Sequence, residues 1–337
     1  MTTVVGNGAV TLLDVARRTV DKKIAKLIEL LHDTNEILPD ILWVPCNDGD
    51  NHVESIRTGL PSVAWKIFNY GVAQSKSQSQ TVKEATGLLK AYSKVDKDLA
   101  DKNGNAAEFR ASEDVAFLEA MNQELATTLF YGNVNVHQER FNGFSMRYTT
   151  PSTNRREIGY NMIDGGGVGS TNTSVWLVGW GERTCFGLYP RSERAGFEMH
   201  DKGEQIMEDS NGLLNSYYIT EYSWRVGLCV KDWRHVVRIC NIDMSTFDDA
   251  GESTFDGPAL LQLMIRAMRR RPPTVLGRAV FYMNGDLLTA LDLIANFDNR
   301  LAIKVTEVDG QQITSFRGIP IRRCDAILNT EAAISFA

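Results

Sequence analysis

The sequence predicts a fold of the α+β class. One segment, SEDVAFLEAMNQELATTLFYG, keeps helical periodicity throughout: Val115, Leu118, Leu125 and Leu129 form a stripe, with Met121 or Asn122 between. Another, YYITEYSWRVGLCVKDWRHVVRICNID, is dense in aromatic and β-branched residues and breaks only around Lys231 and Asp232. It reads as two long strands of an antiparallel sheet. A third, NYGVAQSKSQSQTVKEATG from Asn69 to Gly87, has strand length but only Val82 as a sizeable apolar residue between Gln74 and Leu88. Such a stretch cannot bury a core of its own.

In chain order, the first twenty residues are mixed and Gly-containing and are expected to be mobile. From Asp21, Ile24, Leu27, Ile28 and Leu31 recur at helical spacing, with Lys22, Lys23 and Lys26 on or near the other face. Cations at a helix N-terminus oppose its dipole, so these lysines need solvent or an anionic partner. Pro39 stops that helix. The stretch DILWVPCNDGDNHVESIRTGLPSVAWKIFNYGV reads as extended chain and turns. Gly59 to Asp96 as a whole reads as a two-stranded arm without independent stability.

The long helix follows, with Ser112 suited to its N-cap and Gly132 to its C-terminal cap. From Gly143 to about Arg194 the chain is rich in Gly, Ser, Thr and Asn, with β-type pieces SVWLVGW and TCFGLY. After the two long strands, GPALLQLMIRAMRRR is a helix with Pro258 in its first turn and Arg269, Arg270 and Arg271 at its C-terminus. RAVFYMN reads as a buried strand and GDLLTALDLIANFDN as another helix. The extended ITSFRGIPIRRCDAIL is kept by Pro320 from being a central strand throughout.

Composition bounds function. The chain has 337 residues, 43% hydrophobic, 23% charged, with a net charge of -6, which suits a globular protein of two or three compact units. A dedicated nucleic-acid reader would be basic. MTTVVGNGAV lacks the marks of a signal peptide and no apolar run approaches a membrane span, so a soluble protein is expected. Cys46, Cys185, Cys229, Cys240 and Cys324 are odd in number and scattered, which predicts buried reduced thiols.

The search for chemistry returns no catalytic, cofactor-binding or metal-binding residue. DGGGVGS, Asp164 to Ser170, lacks the Lys of a phosphate loop and the third Gly of a dinucleotide fingerprint, and is expected to be a flexible interdomain loop. NDGDNH fails the calcium-loop pattern and is expected to be a solvated turn. His32, His52, His137, His200 and His235 are far apart, and no GxSxG elbow occurs. FDDAGESTFDG reads as an acidic surface loop, and Arg269 to Arg271 as a helix cap facing solvent or an acidic neighbour in preference to phosphate.

Three motifs, in order, resemble the major capsid proteins of tailed phages, in particular those of the epsilon-fifteen-like podophages. They are NEILPDILWVPCN followed by RTGLPSVAWKIFNYGVAQSKSQSQ, then EYSWRVGLCVKDWRHVVRICNID, then SFRGIPIRRCDAIL with Glu331 close behind. The resemblance implies the Hong Kong 97-type fold. It divides the chain into an N-terminal arm (1–46), an extended E-loop hairpin (47–102), a peripheral domain with a spine helix (103–167, with 315–337) and an axial domain (168–314). It implies self-assembly into hexamers and pentamers of an icosahedral shell in the virion, around double-stranded DNA contacted non-specifically, after synthesis in the host cytoplasm. Scaffolding, portal and decoration proteins are further implied partners; no membrane, cofactor or enzyme activity is expected.

On that resemblance the polar arm is an intersubunit element, with Gln74, Ser75, Lys76, Ser77, Gln78, Ser79 and Gln80 as its contact residues, and Lys22, Lys23 and Lys26 form a basic N-terminal arm. Two alternatives stand beside it. One is a cation-dependent transferase using Asp48 and Asp50 with the arm as a lid; the other is an encapsulin-like cargo compartment.

Overall fold

The computed structural model describes residues 19–20, 23–24, 35–59, 61–102, 105–191, 197–208, 212–246, 257–272, 277–298, 303–308 and 311–336. Its strands are β1 (Trp43–Pro45), β2 (Asn51–Gly59), β3 (Gln78–Ala85), β4 (Gly87–Asp96), β5 (Met162–Asp164), β6 (Asn172–Trp180), β7 (Cys185–Tyr189), β8 (Phe197–Glu208), β9 (Leu214–Val230), β10 (Val236–Asp243), β11 (Arg278–Met283), β12 (Ile303–Val308), β13 (Gln311–Phe316) and β14 (Ile319–Arg323). Its helices are α1 (Lys97–Asp101), α2 (Ala106–Tyr131), α3 (Gly257–Arg270) and α4 (Gly285–Asp298).

Twelve of these strands, among the described residues, join in one sheet with the order β8-β9-β7-β6-β11-β14-β13-β12; β10 pairs with β6 and β5, β1 with β7, and β4 with β9. Every residue of β6 is buried. Period-two alternation along it therefore feeds two cores. Trp176, Val178 and Trp180 pack on one face with Leu125, Leu129 and Phe130 of α2. Val175 and Leu177 pack on the other with Leu260, Leu261 and Met264 of α3 and Leu287 and Leu291 of α4. The sheet is sandwiched between the long helix and the two shorter ones.

The expected long helix is present but starts earlier than Ser112. Asn105 caps it, accepting from the Glu108 amide, and the Gly132 amide closes it on the Thr128 carbonyl. Of the predicted stripe, Met121, Leu125 and Leu129 are buried while Val115 and Leu118 are exposed. The N-terminal half buries a different residue, Phe109, which packs in a separate small cluster with Val95 and Ala100. The run YYITEYSWRVGLCVKDWRHVVRICNID forms β9 and β10 as expected, but each pairs with other strands: β9 with β8, β4 and β7, β10 with β6 and β5. In β14, Pro320 faces Ser315 at the end of one ladder, and the parallel ladder with β11 begins only at Ile321. Proline's missing donor is accommodated where no partner needs it.

Three expectations change. Gly59–Asp96 does not form one arm: β2 pairs with β3, and β4 belongs to the large sheet. DGGGVGS is not a loose loop, because the amides of Gly165 and Gly167 donate to the carbonyls of Cys240 and Asn241 at 2.8 and 2.7 Å. A Cβ on Gly165 would lie 2.7 Å from the Asn241 carbonyl oxygen, so close backbone approach requires the glycine. Lys23–Ile24 pairs as extended chain with Thr19–Val20, so this part of the helix expected from Asp21 is not helical. At its other end Asn35 bridges Cys324, and Pro39 does not end a helix but lies inside a 3-10 turn over Leu38–Asp40, where its fixed φ fits the first turn. Residues 25–34 lie outside the described residues, as does most of the acidic loop near Asp248.

The C-terminal segment is locked to the sheet by a buried charge network. Arg238 on β10 donates to Glu331 at 2.9 Å, to the Ser174 hydroxyl at 3.2 Å and to the Tyr148 carbonyl at 3.0 Å. Ser174 and Tyr131 also donate to Glu331. Burial, with the adjacent Glu331 carboxylate, raises Tyr131 far above its ordinary value, so its hydroxyl stays a donor. All five Cys are buried and free, as expected, and burial pushes the Cys240 and Cys324 thiols up to about 12.

Glu331→Ala leaves the Arg238 guanidinium buried without its carboxylate, and is expected to lower stability by about 3–5 kcal/mol. An Arg238→Met/Glu331→Leu double variant is expected to recover most of that loss. Denaturant unfolding of the unassembled chain measures both; equal losses in the two variants would show that the charges themselves stabilise the fold.

Candidate assembly interface

The hairpin of β2 and β3 stands apart from the sheet. Its register runs from Asn51 opposite Ala85 to Gly59 opposite Gln78, with an irregularity between Arg57 and Gly59. Between the strands, residues 61–77 form an irregular tip whose every residue is exposed. Within it the Tyr70 amide donates to the Ile67 carbonyl, with Asn69 at φ 68°, and the Ser75 hydroxyl reaches the Ser62 carbonyl at 2.7 Å.

The root is rigid where the tip is bare. The turn at NDGDNH is closed by paired bonds between Asp48 and Asn51, with Gly49 at φ 61°. Asn47 adds two side-chain bonds to the backbone of Val53, both 2.8 Å. Glu84 on β3 takes a two-pronged pair from Arg147 at 2.6 and 2.8 Å, and both side chains are largely buried. Across the hairpin, Glu54 accepts from Lys231 at 2.8 Å and faces His52 at 3.1 Å. Burial would raise the Glu54 carboxyl, but the bonds from Lys231 and His52 hold it below its usual value. The His52 ring meets Phe186 edge-on at 5.5 Å. These contacts tie one end of a long hairpin to the body of the molecule.

Of the contact residues expected from the sequence, Gln78, Ser79 and Gln80 lie on β3 and Gln74, Ser75, Lys76 and Ser77 in the tip, all exposed. The larger feature is the apolar run just before them. Trp65 and Phe68 are 102% and 93% exposed, and Val63, Ile67 and Tyr70 are also bare. Sequence reading took PSVAWKIFNYGV for extended chain and turns; the signal missed was an apolar run inside a segment with no core to enter. A cluster of exposed rings is what a contact surface looks like before it meets its partner. Of the basic arm, Lys22 and Lys26 lie outside the described residues, and Lys23 lies in the two-residue ladder.

Asp48 and Asp50, the carboxylates of the enzyme alternative, sit on the exposed root turn and face Lys83 at 3.4 Å and Arg225 at 3.7 Å. They do not converge on a site. Among the described residues no group of three or more His, Cys, Asp or Glu side chains is placed to hold a metal. On β9, between β8 and β4, Glu221 accepts from Lys202 at 2.8 Å and Lys90 at 2.7 Å, and these bonds hold its carboxyl down to about 2.

The family model for the major capsid protein GP7 matches residues 19–335. A chain of the bacteriophage Epsilon15 structure is 35% identical over 99% of both chains, with a TM-score of 0.77. Looser likenesses are to the bacteriophage JBD30 capsid (8% identity, 88% and 93% of the chains, TM-score 0.46) and to a holo-SrpI encapsulin complex from Synechococcus elongatus (11%, 69% and 97%, TM-score 0.45). No curated protein matches the sequence.

A group whose folded-state pKa is depressed stabilises the fold above its unfolded value and loses that contribution as pH falls through its folded value. For Glu221 the window runs from its ordinary 4.5 down to about 2. Glu221→Gln is therefore expected to flatten the dependence of unfolding stability on pH across that window, with little slope change at neutral pH. Urea unfolding at several acid pH values measures it; an unchanged slope would show that the carboxyl titrates normally.

Proposed function

The chain belongs to the major capsid protein GP7 family, and from that premise we propose how it closes its shell. It is the major capsid protein of a phage icosahedral shell, with the α+β fold of the Hong Kong 97 type, and the virion shell is its place. In this reading the β2–β3 hairpin is the element by which one copy holds the next within hexamers and pentamers, the shell enclosing double-stranded DNA after synthesis in the host cytoplasm. The exposure of Trp65 and Phe68 at the end of a hairpin with a fixed root carries the reading. A monomer gains nothing from solvating two large rings, whereas a neighbour burying them gains roughly 25 cal/mol per Å² of apolar surface.

The division of labour follows. The tip supplies apolar anchors, and Gln74 to Gln80 flank them with polar groups that form the rim of the contact. Interlocking of this kind, repeated around a closed shell, gives avidity beyond any one contact. The chain divides into an N-terminal arm over 1–46, the E-loop region over 47–102, a peripheral domain over 103–167 with 315–337, and an axial domain over 168–314. Lys22, Lys23 and Lys26, a cluster of three cations within five residues, face packaged DNA or an acidic neighbour. Scaffolding, portal and decoration proteins complete the set of partners.

The Trp65→Ser/Phe68→Ser variant is expected to unfold at the parent's midpoint, because neither ring touches the core, and to stall before closed shells form. Thermal unfolding and negative-stain microscopy of the same preparation measure both halves. Normal shells from the variant would exclude the tip as the anchor; a lowered midpoint would return the rings to the subunit's own fold.

A further inference from the structure

Five arginines meet in one concavity of about 330 Å³, formed where the C-terminus of α3 approaches Arg155 and the turn before β10. Arg234 is matched within it, its guanidinium forking onto Asp232 at 2.8 and 2.7 Å. None of the other four is paired with a carboxylate among the described residues. Arg270 donates to the neutral carbonyls of Tyr160 and Met162 and lies 4.7 Å from the Tyr160 ring centre. Arg155, Arg269 and Arg271 make no ion pair with any described residue. Burial lowers the proton affinity of both Arg270 and Arg271, and Arg266 adds to this at Arg270. The concavity is short of negative charge, although the chain carries 42 acidic residues against 36 basic ones.

We infer that this arginine pocket seats backbone phosphates of the nucleic acid inside the shell. The inference rests on the capsid reading for its ligand, but the pocket is tested separately from shell formation. Four unmatched guanidiniums call for a polyanion. One protein carboxylate supplies a single charge, whereas a duplex strand presents one phosphate per roughly 3.4 Å of axis. The planar fork of arginine also matches two phosphate oxygens at once, which an ammonium cannot do. Contacts of this kind position the polymer and carry no sequence information, as a shell wall requires.

The test is binding of a fluorescent 20-base-pair duplex, in two unrelated sequences, to the purified unassembled chain between 50 and 200 mM KCl. The Arg155→Gln/Arg269→Gln/Arg271→Gln variant is expected to give a plot of log binding constant against log salt shallower by about 2 to 3, equally for both duplexes, from a loss of about 0.9 per phosphate contact. A slope equal to the parent's overturns the proposal. So does a variant that keeps the parent slope but no longer forms shells, which would mean that the pocket holds an acidic segment of another copy. Should the triple variant unfold, Arg155→Gln alone, at an exposed position outside helix and strand, is expected to lower the slope by about 1, and no change there is equally decisive. Shell formation by the parent chain is scored by microscopy, so failure of the capsid reading is seen in a different measurement.

Discussion

The pair of Arg238 and Glu331 sets the arrangement that the other parts depend on. It draws together the end of the long helix at Tyr131, the central strand at Ser174, the loop at Tyr148, the second long strand and the C-terminal segment. A buried ion pair adds little stability over an apolar pair of similar shape, so its effect is on register. Glu331 can reach Arg238 only if its backbone bridges Asn172, which it does with bonds of 2.8 and 3.4 Å in the two directions. That alignment also brings the Ile334 amide to the Asn241 side chain at 2.8 Å and the Ala333 amide to Gly169. Asn241 holds φ 57° at the irregularity in the β6–β10 ladder, a conformation sustained by these bonds.

Much of the architecture was legible in the sequence because local rules and global packing agree there. The helices from Gly257 and Gly285 and the strand from Arg278 follow their patterns, and Gly132 closes the long helix as its position suggests. Failures arose where tertiary contact decides. Ser112 is a good cap by type, but Asn105 begins the helix, its side chain accepting from the Glu108 amide. The glycines from Gly165 to Gly167 look like a hinge in one dimension; only the sheet shows that a strand runs against them. The pairing of β4 with β9 joins residues about 130 apart, and neither run alone encodes it.

The exposed hairpin was legible in kind and not in detail. A polar segment unable to make a core reads as an exposed arm, but its Ser and Gln give no sign that Trp65 and Phe68 beside them are exposed too. Apolar residues in a sequence read as core by default, and exposure is a property of place. The arginine run at 269–271 was likewise read as a cap, since nothing in the linear sequence brings Arg155 and Arg234 to it.

The hairpin's construction also has a mechanical consequence. A tip carried on a ladder from Gly59–Gln78 down to Asn51–Ala85 passes a pull along two covalent strands at once, with the ladder keeping them side by side. At the base the load passes through Glu84 into Arg147, and through Glu54 into Lys231. Arg147, in the loop that also carries Tyr148, bonds the carbonyl of Leu228 at 3.3 Å, so part of that load reaches β9, which runs through the sheet. If the tip is the grip proposed above, a shell strained from within would load the hairpin at its anchored root.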